Sequence, residues 1–102
     1  MHPLELLKRI KEHNPPVIVD VRTFYEFRNG YIQGAVHAPA WKILFCFAKI
    51  PSAKNAELVV TCEHGPRAII VKSLLIMYGY RNVSLVAGQM TGWRKYGLPL
   101  EY

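Results

Sequence analysis

Aspartate is almost missing from this 102-residue chain. Asp20 is the only one, and seven acidic residues face thirteen Lys and Arg, a formal net charge of +6. Cysteine is nearly as scarce: Cys46 and Cys62 are the two present. That excludes a disulfide-dense scaffold and favours free thiols in a reducing cytoplasm. No stretch approaches the ~18 uninterrupted apolar residues of a membrane span, so no membrane association is expected. The opening MHPLELLKRIKEHN carries charges at helical spacing and no apolar signal core, so no secretory peptide is expected. Repeats and low-complexity segments are absent. The basic residues form no run and no stripe interleaved with aromatics, which leaves direct nucleic-acid binding a minor expectation. Cys and His show no ligand-pair spacing, so neither a metal nor another cofactor is expected.

A hydrophobic content of 51% with 20% charged residues describes a chain that folds. Its length suits one domain over residues 1–102. The positive excess favours anionic ligands or anionic partner surfaces by long-range steering, although charges this dispersed read mainly as a solvated surface.

Residues 3–13 read as an amphipathic helix, with Pro3 in the first turn and Leu4, Leu7 and Ile10, beside Leu6, on the apolar side. Asn14-Pro15-Pro16 ends it. A strand over 17–21 follows, with Asp20 near its carboxyl end. Asp20, Arg22 and Glu26 are read as holding the fold, Asp20 as a cap or as the partner of an arginine. Thr23 and Glu26 have capping-box spacing for a short helix closed by Asn29-Gly30. A short strand over 35–37 ends in His37, read as structural at a strand edge. Eight of the ten residues 41–50 are apolar. They are expected to pack on the sheet, with surplus at Trp41, Phe45 or Phe47 available for a docking or homodimer surface. A polar connector over 51–57 precedes a strand at 58–60, and a last strand over 83–86 leads through Gly88 into a helix over 90–96. Trp93 of that helix is expected to plug the core. Strands alternating with helices give an α/β fold, a parallel β-sheet covered by helices on both faces.

The segment Thr61-Cys62-Glu63-His64-Gly65-Pro66-Arg67-Ala68 stands between the strand at 58–60 and a helical run that ends before Gly79. Cys62 therefore lies at the carboxyl tip of a strand, where open α/β sheets bind their ligands. The thiolate is the nucleophilic form of cysteine, and a helix start or a fixed cation favours it. Backbone N–H groups of the loop, the first turn of the helix and Arg67 would form a cup for an anion above the sulfur. Gly65 allows the tight turn and Pro66 stiffens it. Arg67 either points into the cup or pairs outward with an acid. His64 either shuttles a proton or faces solvent. Cys46 is read as buried and inert, its alternative being a resolving thiol.

Three segments carry a resemblance to a family. The first is Val17-Ile18-Val19-Asp20-Val21-Arg22, continuing through Glu26 to Gly30-Tyr31-Ile32-Gln33-Gly34-Ala35-Val36-His37-Ala38-Pro39. The second is the cysteine loop. The third is Val86-Ala87-Gly88-Gln89-Met90-Thr91-Gly92-Trp93 with Tyr96-Gly97-Leu98-Pro99-Leu100. In this order the chain resembles a single-domain rhodanese over nearly its whole length. It departs from the family pattern at Tyr31, where His is frequent, and at Glu63, an acid directly after the cysteine. The resemblance implies a rhodanese-like fold and a sulfurtransferase. Cys62 would attack the outer sulfur of a donor such as thiosulfate, carry it as a persulfide, and release it to cyanide, a dithiol or a partner protein's thiol. It places residues 41–50 near the rim of the site. Glu63, His64, Gly65 and Arg67 would bind the small sulfur-containing anion. Glu63 is expected to oppose doubly charged thiosulfate, so that a protein persulfide serves better and Glu63→Gln improves thiosulfate use. Cys62 and Arg67 are separated by four residues, where related phosphatases resemble Cys-x5-Arg, so the cup is expected to suit sulfur over a tetrahedral oxyanion. A sulfur-relay or interaction module with little small-molecule turnover is the alternative.

Overall fold

The computed structural model describes residues 1–44, 53–63 and 65–102, apart from the side chains of Trp41 and Leu44. Four parallel strands, β1 (Val17–Asp20), β2 (Val36–His37), β3 (Leu58–Thr61) and β4 (Val83–Leu85), lie in the order β2-β1-β3-β4. The helices are α1 (Pro3–Lys11), α2 (Phe24–Arg28), α3 (Ala40–Leu44), α4 (Pro66–Met77) and α5 (Gln89–Lys95). From β1 the chain passes to β2 on one side, then returns to β3 on the other. The carboxyl ends of β1 and β3 therefore flank the point where strand order reverses, and a crevice opens there in sheets of this kind.

Alternation along the strands divides the core into two clusters, as a sheet buried on both faces requires. Val19, Leu58 and Val60 pack with Ile43 of α3 and with Ala68, Val71 and Leu75 of α4. Ile18 and Val59 pack on the other face with Leu6 of α1 and with Met90 and Trp93 of α5. Cys62 continues the parity of Leu58 and Val60, so its side chain joins the α4 cluster. Trp93 is 1% exposed and donates its indole N–H to the Pro99 carbonyl at 2.9 Å, which anchors the carboxyl-terminal segment.

Both bonds of the capping box at Thr23 and Glu26 are present. α1 stops at Lys11, and His13 follows in the left-handed region at φ 58°. On that helix Leu6 is fully buried whereas Leu4, expected on the apolar side, is 50% exposed. Tyr31 stacks on Phe27 with ring centroids 4.2 Å apart, and its backbone pairs with Glu101. Cys46, Phe45 and Phe47 lie outside the described residues, as do His64 and the side chain of Trp41. The expectations attached to them stand without a structural description.

Candidate active site

The site is assembled from three pieces of backbone: the ends of β1 and β3 and the start of α5. Cys62 is fully buried directly after β3, and its Sγ accepts the Gly65 N–H at 2.9 Å. Gly65 is the residue before the first turn of α4, at φ 118°, a conformation L side chains rarely adopt. A Cβ there would meet only Gln89 Cγ at 3.9 Å, so the dihedral rather than space calls for glycine. Pro66 opens α4 with no N–H to satisfy, and no side chain caps the helix start. The first-turn donors and the positive end of the helix dipole are thus placed on the sulfur's side of the loop.

The rest of the loop is held by α5. Gln89 Oε1 accepts the Cys62 N–H at 2.9 Å, and the Met90 N–H donates to the Cys62 carbonyl at 3.0 Å. Thr91 Oγ1 donates to the Glu63 carbonyl at 2.9 Å. Gln89 is 6% exposed and sits at φ 56°, one of two described non-glycine residues with positive φ. The turn before it is tight: a Cβ on Gly88 would stand 2.9 Å from Gly92 Cα, and one on Gly92 would stand 2.8 Å from the Ala87 carbonyl oxygen. Cys62 is therefore clamped between its own loop and α5, by the Gln89 side chain on its N–H and the Met90 N–H on its carbonyl.

Charge around the loop is paired rather than bare. Arg22, with its side chain 1% exposed, donates from Nε and Nη2 to the Asp20 carboxylate, from Nη2 to the Gly30 carbonyl at 2.7 Å, and from Nη1 to Glu63 at 3.1 Å. Burial works against the Arg22 charge, but the hydrogen bonds and charges of Asp20 and Glu63 raise its pKa above the ordinary arginine value. Arg94 of α5 takes the same Glu63 carboxylate in a two-pronged contact, with Nη2 to Oε1 at 2.8 Å. Hydrogen bonding by Arg94, then by Arg22, holds the Glu63 carboxyl below the usual range against the opposing effect of burial. Asp20, Arg22, Glu63 and Arg94 thus form a continuous row of alternating charge that sums to zero. Glu63 therefore meets an incoming anion as one member of a neutral row rather than alone.

Arg67 pairs outward. Its two Nη atoms donate to the Glu26 carboxylate at 2.6 and 2.9 Å, linking α4 to α2. The Arg67 guanidinium holds the Glu26 carboxyl well below its usual range, at about 2. Of the two orientations the sequence left open, the guanidinium takes the one directed away from the cup. His37 Nε2 lies 2.8 Å from the Arg22 carbonyl, and its ring stacks on Phe27 at 4.5 Å between centroids, a supporting place behind the loop. Among the described residues no cluster of His, Cys, Asp and Glu could hold a metal ion, and no helix is long and apolar enough to cross a membrane.

Residues 2–96 match the model of the rhodanese-like domain. The chain belongs to the rhodanese-like family. It is 30% identical to a sulfurtransferase of Allochromatium vinosum over 95 residues, covering 93% of this chain and 87% of that protein. It is 28% identical over 85 residues to the thiosulfate sulfurtransferase GlpE of Haemophilus influenzae, covering 83% of this chain and 79% of the relative. Among solved structures, a rhodanese-like domain protein from Staphylococcus aureus superposes with a TM-score of 0.81 at 30% identity, covering all of this chain and 97% of the other.

Within this rhodanese-like frame, the sequence pointed to Cys62, Glu63, His64, Gly65 and Arg67. The structure brings Cys62 and Gly65 into direct contact, ties Glu63 to Arg22 and Arg94, and turns Arg67 to Glu26. Gln89 and Arg94 were missed as parts of the site. They stand 27 and 31 residues along the chain from the loop residues they bind, and no local spacing connects them. The signal that was available is that Gln89 falls in the carboxyl-terminal segment that carries the family resemblance, and that Arg94 follows directly after it.

Proposed function

We propose that this protein is a sulfurtransferase that carries sulfane sulfur on Cys62. The observation that carries the reading is the Cys62 sulfur at the carboxyl end of β3, accepting the Gly65 N–H at 2.9 Å beside the uncapped start of α4. That arrangement accommodates negative charge on sulfur with fixed N–H donors, as an oxyanion hole does for oxygen. The names of the relatives, two of which are sulfurtransferases, support the same chemistry.

In the first half-reaction the Cys62 thiolate attacks the outer sulfur of a donor. A Cys–S–S bond forms, the donor's own bond to that sulfur breaks, and its remainder leaves with the electron pair. From thiosulfate the leaving group is sulfite; from a persulfide it is a thiolate. In the second half-reaction a nucleophilic acceptor takes the outer sulfur and regenerates the Cys62 thiolate. The Gly65 N–H and the first turn of α4 present their donors on the sulfur's side of the loop in both half-reactions. The Arg67 guanidinium contributes through its hold on Glu26, which fixes the start of α4, rather than by gripping the donor.

A phosphatase reading fares worse on the same geometry. Phosphate transfer needs a cation directed at the non-bridging oxygens, and the one arginine of the loop is turned to Glu26. The test is intact-protein mass spectrometry after incubation with thiosulfate and, separately, with a persulfide donor, with peptide mapping and a Cys62→Ser control. The expected result is a gain of one sulfur atom on Cys62, removed by cyanide as thiocyanate. No gain from either donor, with the thiol shown to be reduced and reactive, overturns the reading.

A further inference from the structure

α4 carries an apolar stripe on its solvent side. Ile69, Ile70, Ile76 and Met77 are 58%, 61%, 53% and 70% exposed, and the exposed Ser73 lies among them. At 100° per residue these positions fall within one arc of about 120°, a single face of the helix. The opposite face, Ala68, Val71 and Leu75, is fully buried in the core. Scattered exposed side chains are ordinary, but a contiguous row on one helix marks a contact surface. The row begins one turn from Pro66, and α4 is the helix whose first turn borders Cys62, so it leads away from the reacting sulfur.

The charge around the row says what kind of partner fits. Residues 64 to 100 contain no Asp or Glu. Lys72 flanks the stripe. At the far end, Lys54 lies against Gly79 and over the Tyr80 ring, and the exposed Arg81 follows. A second copy would bring the same Lys- and Arg-flanked surface against itself, and two chains of +6 repel. An acidic partner gains on both counts, by apolar contact and by charge. We propose that the exposed face of α4 docks an acidic, amphipathic helical segment of a protein that exchanges sulfur with Cys62. This rests on the sulfurtransferase reading for the exchange, but not for the docking.

Two synthetic helical peptides test it, alike in one leucine face and differing in the other, Glu in one and Lys in the other, each ending in Ser or Cys. Fluorescence anisotropy with the Ser-ended pair reads docking alone. The acidic peptide is expected to bind at least tenfold tighter than the basic one at low salt. It should lose at least tenfold in affinity on a protein carrying Ile69→Gln, Ile70→Gln, Ile76→Gln and Met77→Gln, with an unchanged circular dichroism spectrum. The Cys-ended acidic peptide should take sulfur from persulfidated protein faster than the basic one, while transfer to cyanide is unaffected by the four substitutions. Equal binding of the two peptides, no binding, or binding that survives the substitutions overturns the proposal. So does self-association of the unaltered protein, by sedimentation, that the substitutions abolish, since a second copy then covers the face. Docking without sulfur loading would count against the proposed activity and leave the surface standing. Sulfur loading without docking would do the reverse.

Discussion

Replacing Glu63 with Gln isolates one charge at the mouth of the site, and the structure sets both its sign and its size. Asp20, Arg22, Glu63 and Arg94 sum to zero, so the row as it stands exerts no net pull or push on a distant anion. Glu63→Gln leaves the row at +1. At an assumed separation of roughly 7 Å, one unit charge acts on doubly charged thiosulfate with about 5 kcal/mol at an effective dielectric of about 20 and about 1 kcal/mol at that of water. The Glu63 side chain is 19% exposed and that of Arg94 43%, so solvent screening trims this to about 1 kcal/mol, roughly a fivefold effect. The expected result is a rise of about fivefold in kcat/KM for thiosulfate at low ionic strength, fading with added salt. Arg94→Ala leaves the row at −1 and should lower kcat/KM by a similar factor. The double variant, neutral again, should return near the starting value. The assay is thiocyanate release from thiosulfate and cyanide over a salt series. If Glu63→Gln leaves kcat/KM unchanged or lowers it, or if Arg94→Ala fails to lower it, the electrostatic account of this loop is wrong.

Gln89→Leu keeps the bulk of the side chain but removes the acceptor of the buried Cys62 N–H, and should cost about 1–3 kcal/mol in urea unfolding together with a fall in kcat. Gly92→Ala drives a Cβ to 2.8 Å from the Ala87 carbonyl oxygen, a backbone atom that cannot step aside, and should destabilise by about 1–3 kcal/mol and lower activity by displacing α5 from the loop. The Glu26 carboxyl, held at about 2 in the fold against an ordinary 4.5, contributes stability that is fully present above pH 4.5 and lost as pH falls through 2. With the partner Arg67 side chain 37% exposed, the contribution is discounted to about 1 kcal/mol. Acid unfolding followed by circular dichroism should show that loss, and Glu26→Gln should abolish that part of the pH dependence. A Glu26→Gln protein with the same acid profile as the parent would refute the assignment.

The alternation of Val17-Ile18-Val19 and Leu58-Val59-Val60 with helical runs was enough to place the sheet, its parallel sense and its two covered faces. The hydrophobic effect acts on period, and period is a local property of the chain. Thr23 and Glu26, three apart, specified their capping box for the same reason. The cysteine loop was legible because a strand end, the cysteine itself, a glycine that permits a tight turn, a proline and a helical run follow one another within a few residues. The partners of the charges were a different matter. Glu63 could meet any of several arginines, and whether Arg67 faced the sulfur or an acid depended on where α2 came to rest. Ion pairs join residues that the fold brings together across 31 or 41 positions, and long flexible side chains leave no periodic trace of their choice. The apolar face of α4 shows the same division. Its helix is nearly uniformly hydrophobic in sequence, so only packing against the sheet decided that Ala68, Val71 and Leu75 go inward and that Ile69, Ile70, Ile76 and Met77 remain in water. The chain by itself thus determined the α/β architecture and the nucleophile's position at a strand end, because both follow from local order. Tertiary structure alone decided that Glu63 is neutralised, that Arg67 turns away, and that Gln89 holds the Cys62 amide, because each depends on the distance between elements remote in sequence.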